Sequence, residues 1–198
     1  PCTDAKTHAE RVEKIAQRVR ARPQASKLRI RKKEPVMNVH RATPRDSADI
    51  HAVDITTLDG VVQLDTAGRE VWVESHVTME QLNAFAMGEA SMLLPVVPEM
   101  SQLTVGGLAC GAGIQSSSFK HGLMRRTFIA YECVLGDGAV VEARADNEHA
   151  DLFHAIPGSL GTLAIVVSAK IRLVEAKPFV RVEYRRYGSR QEFCRAVK

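Results

Sequence analysis

No stretch of this chain approaches eighteen consecutive apolar residues, so no transmembrane helix is expected within its 198 residues. No secretory signal is visible either. The first residue is Pro1 rather than methionine, which is compatible with a removed leader or an upstream anchor. Cysteine is scarce. Cys2, Cys110, Cys133 and Cys194 form no CxxC pair and no metal-ligand spacing, so a metal centre is not expected. Reduced thiols in a reducing compartment are the plain reading. No Ser/His/Asp set and no paired carboxylates stand out, so no catalytic base is named. No G-x-G-x-x-G lies between a strand and a helix, and β-α-β alternation is missing, which argues against a Rossmann dinucleotide fold.

What is present is a soluble globular composition, 45% hydrophobic and 25% charged. The net charge of +4 is uneven. Residues 1–50 hold thirteen Lys/Arg against six Asp/Glu, giving +7, and the remainder holds fourteen against seventeen, giving −3. Five positive charges fall in Lys27–Lys33 (KLRIRKK). There Leu28 and Ile30 alternate with Arg29 and Arg31 as on a half-buried strand, and no interleaved aromatics offer stacking for nucleic acid. Nucleic acid is therefore not an expected partner. A solvated strand face, or cations beside an anionic ligand, fits better.

The coarse element reading is α+β, with mixed or antiparallel sheets flanked by helices. Thr7 and Glu10 have capping-box spacing ahead of a helix whose Val12, Ile15, Ala16 and Val19 share one face, ending before Pro23. Strands are expected at Lys27–Lys33 and His51–Thr56, and a hairpin at Val61–Thr66 and Glu70–Ser75 turning at Ala67-Gly68. Thr78 with Gln81 opens a helix running toward Gly88. Gly136-Asp137-Gly138 joins Phe128–Leu135 to Ala139–Ala143. A short helix at His149–Ala155, strands at Leu163–Val174 and Val180–Tyr187, and a helix from Gln191 complete the pass.

The most informative segment is Pro95–Gly122, PVVPEMSQLTVGGLACGAGIQSSSFKHG. It holds Gly106, Gly107, Gly111, Gly113 and Gly122, four serines and Thr104, with no charge between Leu103 and Lys120. Glycine permits close backbone approach, and successive amides can form a concavity for an anion. With Ser116, Ser117 and Ser118 as further donors, the chemistry suggested is a neutral cradle for a diphosphate. Tight turns and bulges in a β-rich domain are the plainer alternative.

The ordered motifs PVVPE…TVGGL…G.GI.SSS.KHGL, then YECVLGDG at Tyr131–Gly138 and DLFHAIPGSLGTLAIV at Asp151–Val166, resemble the FAD-linked oxidoreductases of the vanillyl-alcohol-oxidase type. The resemblance is nearest to the sterol side-chain reductase branch with its bacterial relatives, and it spans about Val73 to Tyr187. It implies a two-lobed PCMH-type FAD-binding domain over residues 1–178, with lobes of about 1–75 and 90–175. Residues 179–198 would begin a substrate or cap domain otherwise absent from this chain. It further implies FAD as cofactor and hydride transfer at its N5 atom, to or from a small or sterol-like organic substrate. A non-catalytic nucleotide- or flavin-binding module is the alternative. Location is expected to be cytoplasmic, or membrane-associated through a missing segment.

On this resemblance the cofactor contacts are Pro98, Glu99, Thr104, Val105, Gly106, Gly107, Gly111, Gly113, Ile114, Ser116, Ser117, Ser118, His121, Gly122, Gly161, Thr162 and Ile165. Each has a bland counterpart. Glu99 is either a ribose acceptor or a surface carboxylate, His121 a flavin neighbour or a turn residue, and Gly161-Thr162 an adenine contact or a strand start. Lys33–Arg45 departs from the family pattern, because the expected glycine-rich first diphosphate loop is missing there. Asn38 and Arg41 are its candidate phosphate ligands, and His40 reads as a solvent-exposed histidine rather than a flavin attachment.

Overall fold

The computed structural model of the chain describes residues 2–32 and 49–197. Asn38, His40 and Arg41 lie outside the described residues. The chain opens with α1 (Ala5–Arg20), whose buried Val12, Ile15, Ala16 and Val19 form the expected apolar stripe. Its cap is Asp4 rather than Thr7. Asp4 holds the extended cap conformation, and its carboxylate accepts from the Thr7 amide at 3.0 Å and the Thr7 hydroxyl at 2.7 Å. The Thr7/Glu10 box therefore lies one turn inside the helix.

β1 (Lys27–Arg31) and β2 (Ile50–Asp54) form a parallel pair. The hairpin β3 (Val61–Asp65) and β4 (Glu70–Glu74) follows, then α2 (Met79–Ala90). Here the capping box is complete: the Thr78 amide donates to Gln81 Oε1 at 2.9 Å, and the Gln81 amide donates to Thr78 Oγ1 at 3.2 Å. β5 (Met92–Leu93), α3 (Val105–Cys110) and α4 (Ser118–His121) lead into β6 (Phe128–Val134) and β7 (Val140–Arg144). α5 (Ala150–Ala155), β8 (Ile165–Arg172), β9 (Val174–Glu175) and α6 (Arg190–Val197) complete the described chain.

The main sheet runs β3-β4-β8-β6-β7, antiparallel throughout. β8 sits at its centre. Six of its eight residues are buried, as expected of an apolar strand covered on both faces. On one face, Val12, Ile15 and Val19 of α1 pack with Val53, Ile55, Leu58, Val134, Ile165 and Val167. On the other, Leu82 and Ala86 of α2 and Val105, Leu108 and Ala109 of α3 pack with Tyr131, Val166, Ala169 and Ile171. Helices thus cover an antiparallel sheet, as the composition and element pattern require. β3 and β4, inside the first expected lobe, pair directly into the sheet through β8 of the second.

Val180–Tyr187 is not a strand. It is irregular, with Val180 88%, Val182 71% and Tyr184 97% exposed. Alternation makes a strand only where a sheet edge receives its backbone groups, and none does so among the described residues.

Candidate functional site

α3 begins where β4 ends. The Gly106 amide donates to the Ser75 carbonyl at 2.8 Å and the Val105 amide to the Val77 carbonyl at 2.9 Å. A Cβ on Gly106 would stand 2.9 Å from Ser75 Cβ, closer than side chains tolerate. Glycine at 106 is therefore required by strand–helix contact rather than by a ligand. The Gly107 amide donates to Thr104 Oγ1 at 3.3 Å and the Leu108 amide to the Thr104 carbonyl at 3.0 Å. The expected anion cradle consequently does not start at Thr104, because the amides of 105–108 are satisfied internally. Val105 is buried beneath them, as is Pro98 on the approach to the helix.

The amides without a partner, among the described residues, begin at Ala112 and continue through Gly113 and Ile114, with Ser117 further on. Gly113 anchors this loop. Its carbonyl accepts from Met124 at 2.9 Å, and a Cβ there would come within 2.6 Å of Met124 Cβ. The following turn is self-contained: the Ser118 amide donates to the Gln115 carbonyl at 2.8 Å, and the Gln115 amide donates to Ser118 Oγ at 3.0 Å. His121 ends α4 partly buried, and Gly122 closes it at φ 77°, in the region that favours glycine.

A second loop is tied to the first. The amides of Gly158 and Leu160 both donate to the Cys110 carbonyl, at 3.1 and 2.8 Å. Gly161 lies at φ 77°, and the Thr162 hydroxyl donates to the Ser159 carbonyl at 2.7 Å. Ile30 of β1 and Lys32 just after it approach the second loop and the start of α3. A Cβ on Gly161 would lie 3.9 Å from Ile30 Cδ1, and one on Gly107 would lie 3.7 Å from Lys32 Nζ. Gly107, Gly111 and the 158–162 turn are thus gathered at one place, with positive charge beside them. Glu99 is exposed and makes no hydrogen bond among the described residues. Ile165 points into the α1 core and is 6% exposed.

These residues fit a dinucleotide with a planar ring. Amides 112–114 and 117 lack partners, Ser116 and Ser117 add hydroxyls, and no carboxylate occurs between Thr104 and Lys120. Ile114 (72% exposed) in the first loop, and Leu160 (62%) and Leu163 (50%) in and just after the second, present exposed apolar side chains. Cys110 is chiefly a packing residue: burial raises its thiol pKa, against smaller lowering effects of the Ser159 hydroxyl and Lys32.

Against this background the comparisons with known proteins decide the matter. The model of the family described as FAD binding domain matches residues 34–144. The chain belongs to that family. The relatives of this FAD-binding domain include the Delta(24)-sterol reductase of Pisum sativum, 36% identical over 185 residues, covering 92% of this chain and 32% of that protein. The Delta(24)-sterol reductase of Homo sapiens is 40% identical over 144 residues, covering 73% of this chain and 28% of that one. The chain spans about a third of the length of these curated relatives. The crystal structure of 6-hydroxy-D-nicotine oxidase from Arthrobacter nicotinovorans superposes with a TM-score of 0.69 at 20% identity, over 83% of this chain and 35% of that one. That likeness concerns the fold, a PCMH-type flavoprotein fold, and FAD is the cofactor of the domain. No helix of the described residues is long and apolar enough to cross a membrane.

Sequence reasoning missed a buried charge cluster on the α1 side of the sheet. His8 Nδ1 lies 2.8 Å from Glu74 Oε1, and His8 Nε2 lies 2.7 Å from Glu132 Oε2. Arg11 donates to Glu74 Oε2 at 2.7 Å, as does the Gly60 amide at 2.7 Å, and Ser168 Oγ donates to Glu132 at 2.6 Å. Burial alone would depress the His8 pKa, but hydrogen bonds to Glu132 and Glu74 lift it from 6.5 to about 9. Burial would raise Glu132; the bonds from His8 and Ser168 prevail and lower it. The available signal was a carboxylate in each of two otherwise apolar strands, VWVES and YECV.

Proposed function

We propose that this FAD-binding domain serves a flavin-dependent oxidoreductase that transfers a hydride between the cofactor and a small or sterol-like organic substrate. Residues 1–178 make up its cofactor-binding unit. Bound FAD supplies hydride chemistry at N5. The chain's own part is to bind, orient and shield. Amides 112–114 and 117, with the hydroxyls of Ser116 and Ser117, hold the diphosphate, and Lys32 adds positive potential beside Gly107. Ile114, Leu160 and Leu163 keep water from the ring system. Similarity to two proteins named Delta(24)-sterol reductase supports a sterol-like substrate and delivery of hydride to its carbon–carbon double bond.

The observation that carries this reading is the run of unpartnered amides in the carboxylate-free loop that follows α3, whose Gly107 neighbours Lys32. Absorbance tests it. Mildly purified protein is expected to be yellow, with a flavin spectrum, or to become so on reconstitution with FAD. A colourless protein that FAD cannot reconstitute would favour a non-catalytic module for another ligand.

A further inference from the structure

We propose that His8 is a positioning residue for the FAD cleft: charged and held between Glu74 and Glu132, it latches α1 to the sheet, and with α1 the β1–β2 pair that carries Ile30 and leads into Lys32. This rests on the FAD reading of the cleft above.

The geometry is one of a double anchor. α1 crosses the sheet face, and His8 reaches β4 through one ring nitrogen and β6 through the other. Both bonds can be donated at once only by the protonated ring, since a neutral imidazole carries a single N–H. Loss of that proton therefore breaks one anchor outright. It also leaves fully buried Glu74 and partly buried Glu132 sharing fewer cations. The charged groups facing His8 are Glu74 of β4, Glu132 of β6 and Arg11 of α1. Asp59, ahead of β3, meets Arg11 at 3.4 Å, and Ser168 of β8 contributes a hydroxyl. Cys133, next on β6, packs into the opposite core.

The far end of α1 holds the other sheet. His51 Nε2 lies 2.8 Å from the Arg18 carbonyl, Arg18 Nε donates to the Ala52 carbonyl at 3.2 Å, and Leu28 and Ile30 pack on the α1 core. β1 then places Ile30 against Gly161 and Lys32 against Gly107. A continuous chain of contacts runs from the latch to the cleft wall. Releasing α1 frees that wall while the five-stranded sheet, which carries the glycine-rich loop, stays assembled.

The test uses the full chain, its His8→Gln variant and the milder Ser168→Ala variant. FAD affinity is measured by flavin fluorescence from pH 7 to pH 10, and amide exchange is mapped at pH 7. For the wild type, affinity should fall about ten-fold across the range, with an inflection near pH 9. His8→Gln should bind about ten-fold more weakly at pH 7 and lack that inflection. Titration of the flavin itself is common to all proteins and drops out of the difference. Amides of α1, β1 and β2 should exchange faster in His8→Gln, and to a lesser degree in Ser168→Ala, while β4, β6 and β8 keep their protection. Uniformly faster exchange, or the same pH profile in wild type and His8→Gln, overturns the latch. Should no protein bind FAD at any pH, the cofactor reading fails, and unchanged α1 exchange in both variants would then overturn the latch separately.

Discussion

The amide of Gly106 donates to the carbonyl of Ser75 across 2.8 Å, and this bond joins the start of α3 to the end of β4. Two adjacent glycines of the TVGG motif therefore differ in purpose. Gly106 permits contact within the protein, whereas Gly107 is exposed beside Lys32.

Gly106→Ala should destabilise the ligand-free protein by about 1–3 kcal/mol, the range for overpacking a close contact. Gly107→Ala brings a Cβ to 3.1 Å from Thr104 Oγ1, a small repulsion offset by the better helix propensity of alanine, so ligand-free stability should change less, by about 1 kcal/mol or below. Urea denaturation without FAD measures both. Equal losses in the two variants would show that the glycines share one role.

Ile114→Pro deletes one unpartnered amide on an exposed residue. A hydrogen bond to a charged group contributes about 1.5–3 kcal/mol, so FAD should bind roughly ten- to a hundred-fold more weakly. Ile114→Ala keeps the amide and serves as the control. Fluorescence titration that finds the two variants alike would exclude the 112–114 amides as diphosphate ligands.

Stability should depend on pH in both directions. The folded pKa of His8 is raised, so its contribution is complete below 6.5 and disappears as pH climbs through about 9. The folded pKa of Glu132 is lowered, so its contribution is present above 4.5 and declines as pH drops below that value. Thermal melts should give a plateau between these limits. His8→Gln should remove the alkaline decline, and its persistence would assign that decline to other groups.

Thr78→Ala removes the hydroxyl that caps α2 and should cost about 1 kcal/mol. α2 covers one face of the sheet, so the loss should register as a lower global melting temperature rather than as local fraying. An unchanged melting temperature would show that packing of Leu82 and Ala86 holds α2 without its cap.

Elements specified by neighbours in the chain were legible without a structure. The stripe of α1, the Thr78/Gln81 cap and both hairpins follow from residues within a few positions of one another. At the second hairpin, Gly138 takes φ 84° and its amide donates to the Leu135 carbonyl at 3.0 Å. Composition and motif order likewise pointed to the FAD-binding family, whose match spans residues 34–144 and includes the glycine-rich loop. Local reasoning erred where two local solutions competed, as at Asp4 against Thr7. It also erred where a partner element was required, as at Val180–Tyr187.

Sequence alone determined the class of fold, the family and the domain's cofactor, because these follow from periodicity, turn residues and motif order along the chain. Tertiary structure alone decided which amides lack partners, why Gly106 and Gly113 must be glycine, and that His8 meets carboxylates 66 and 124 residues away. Pattern along a chain records what each residue prefers. Which distant groups meet is fixed only when β4, β6 and β8 pair and α1 is laid across them.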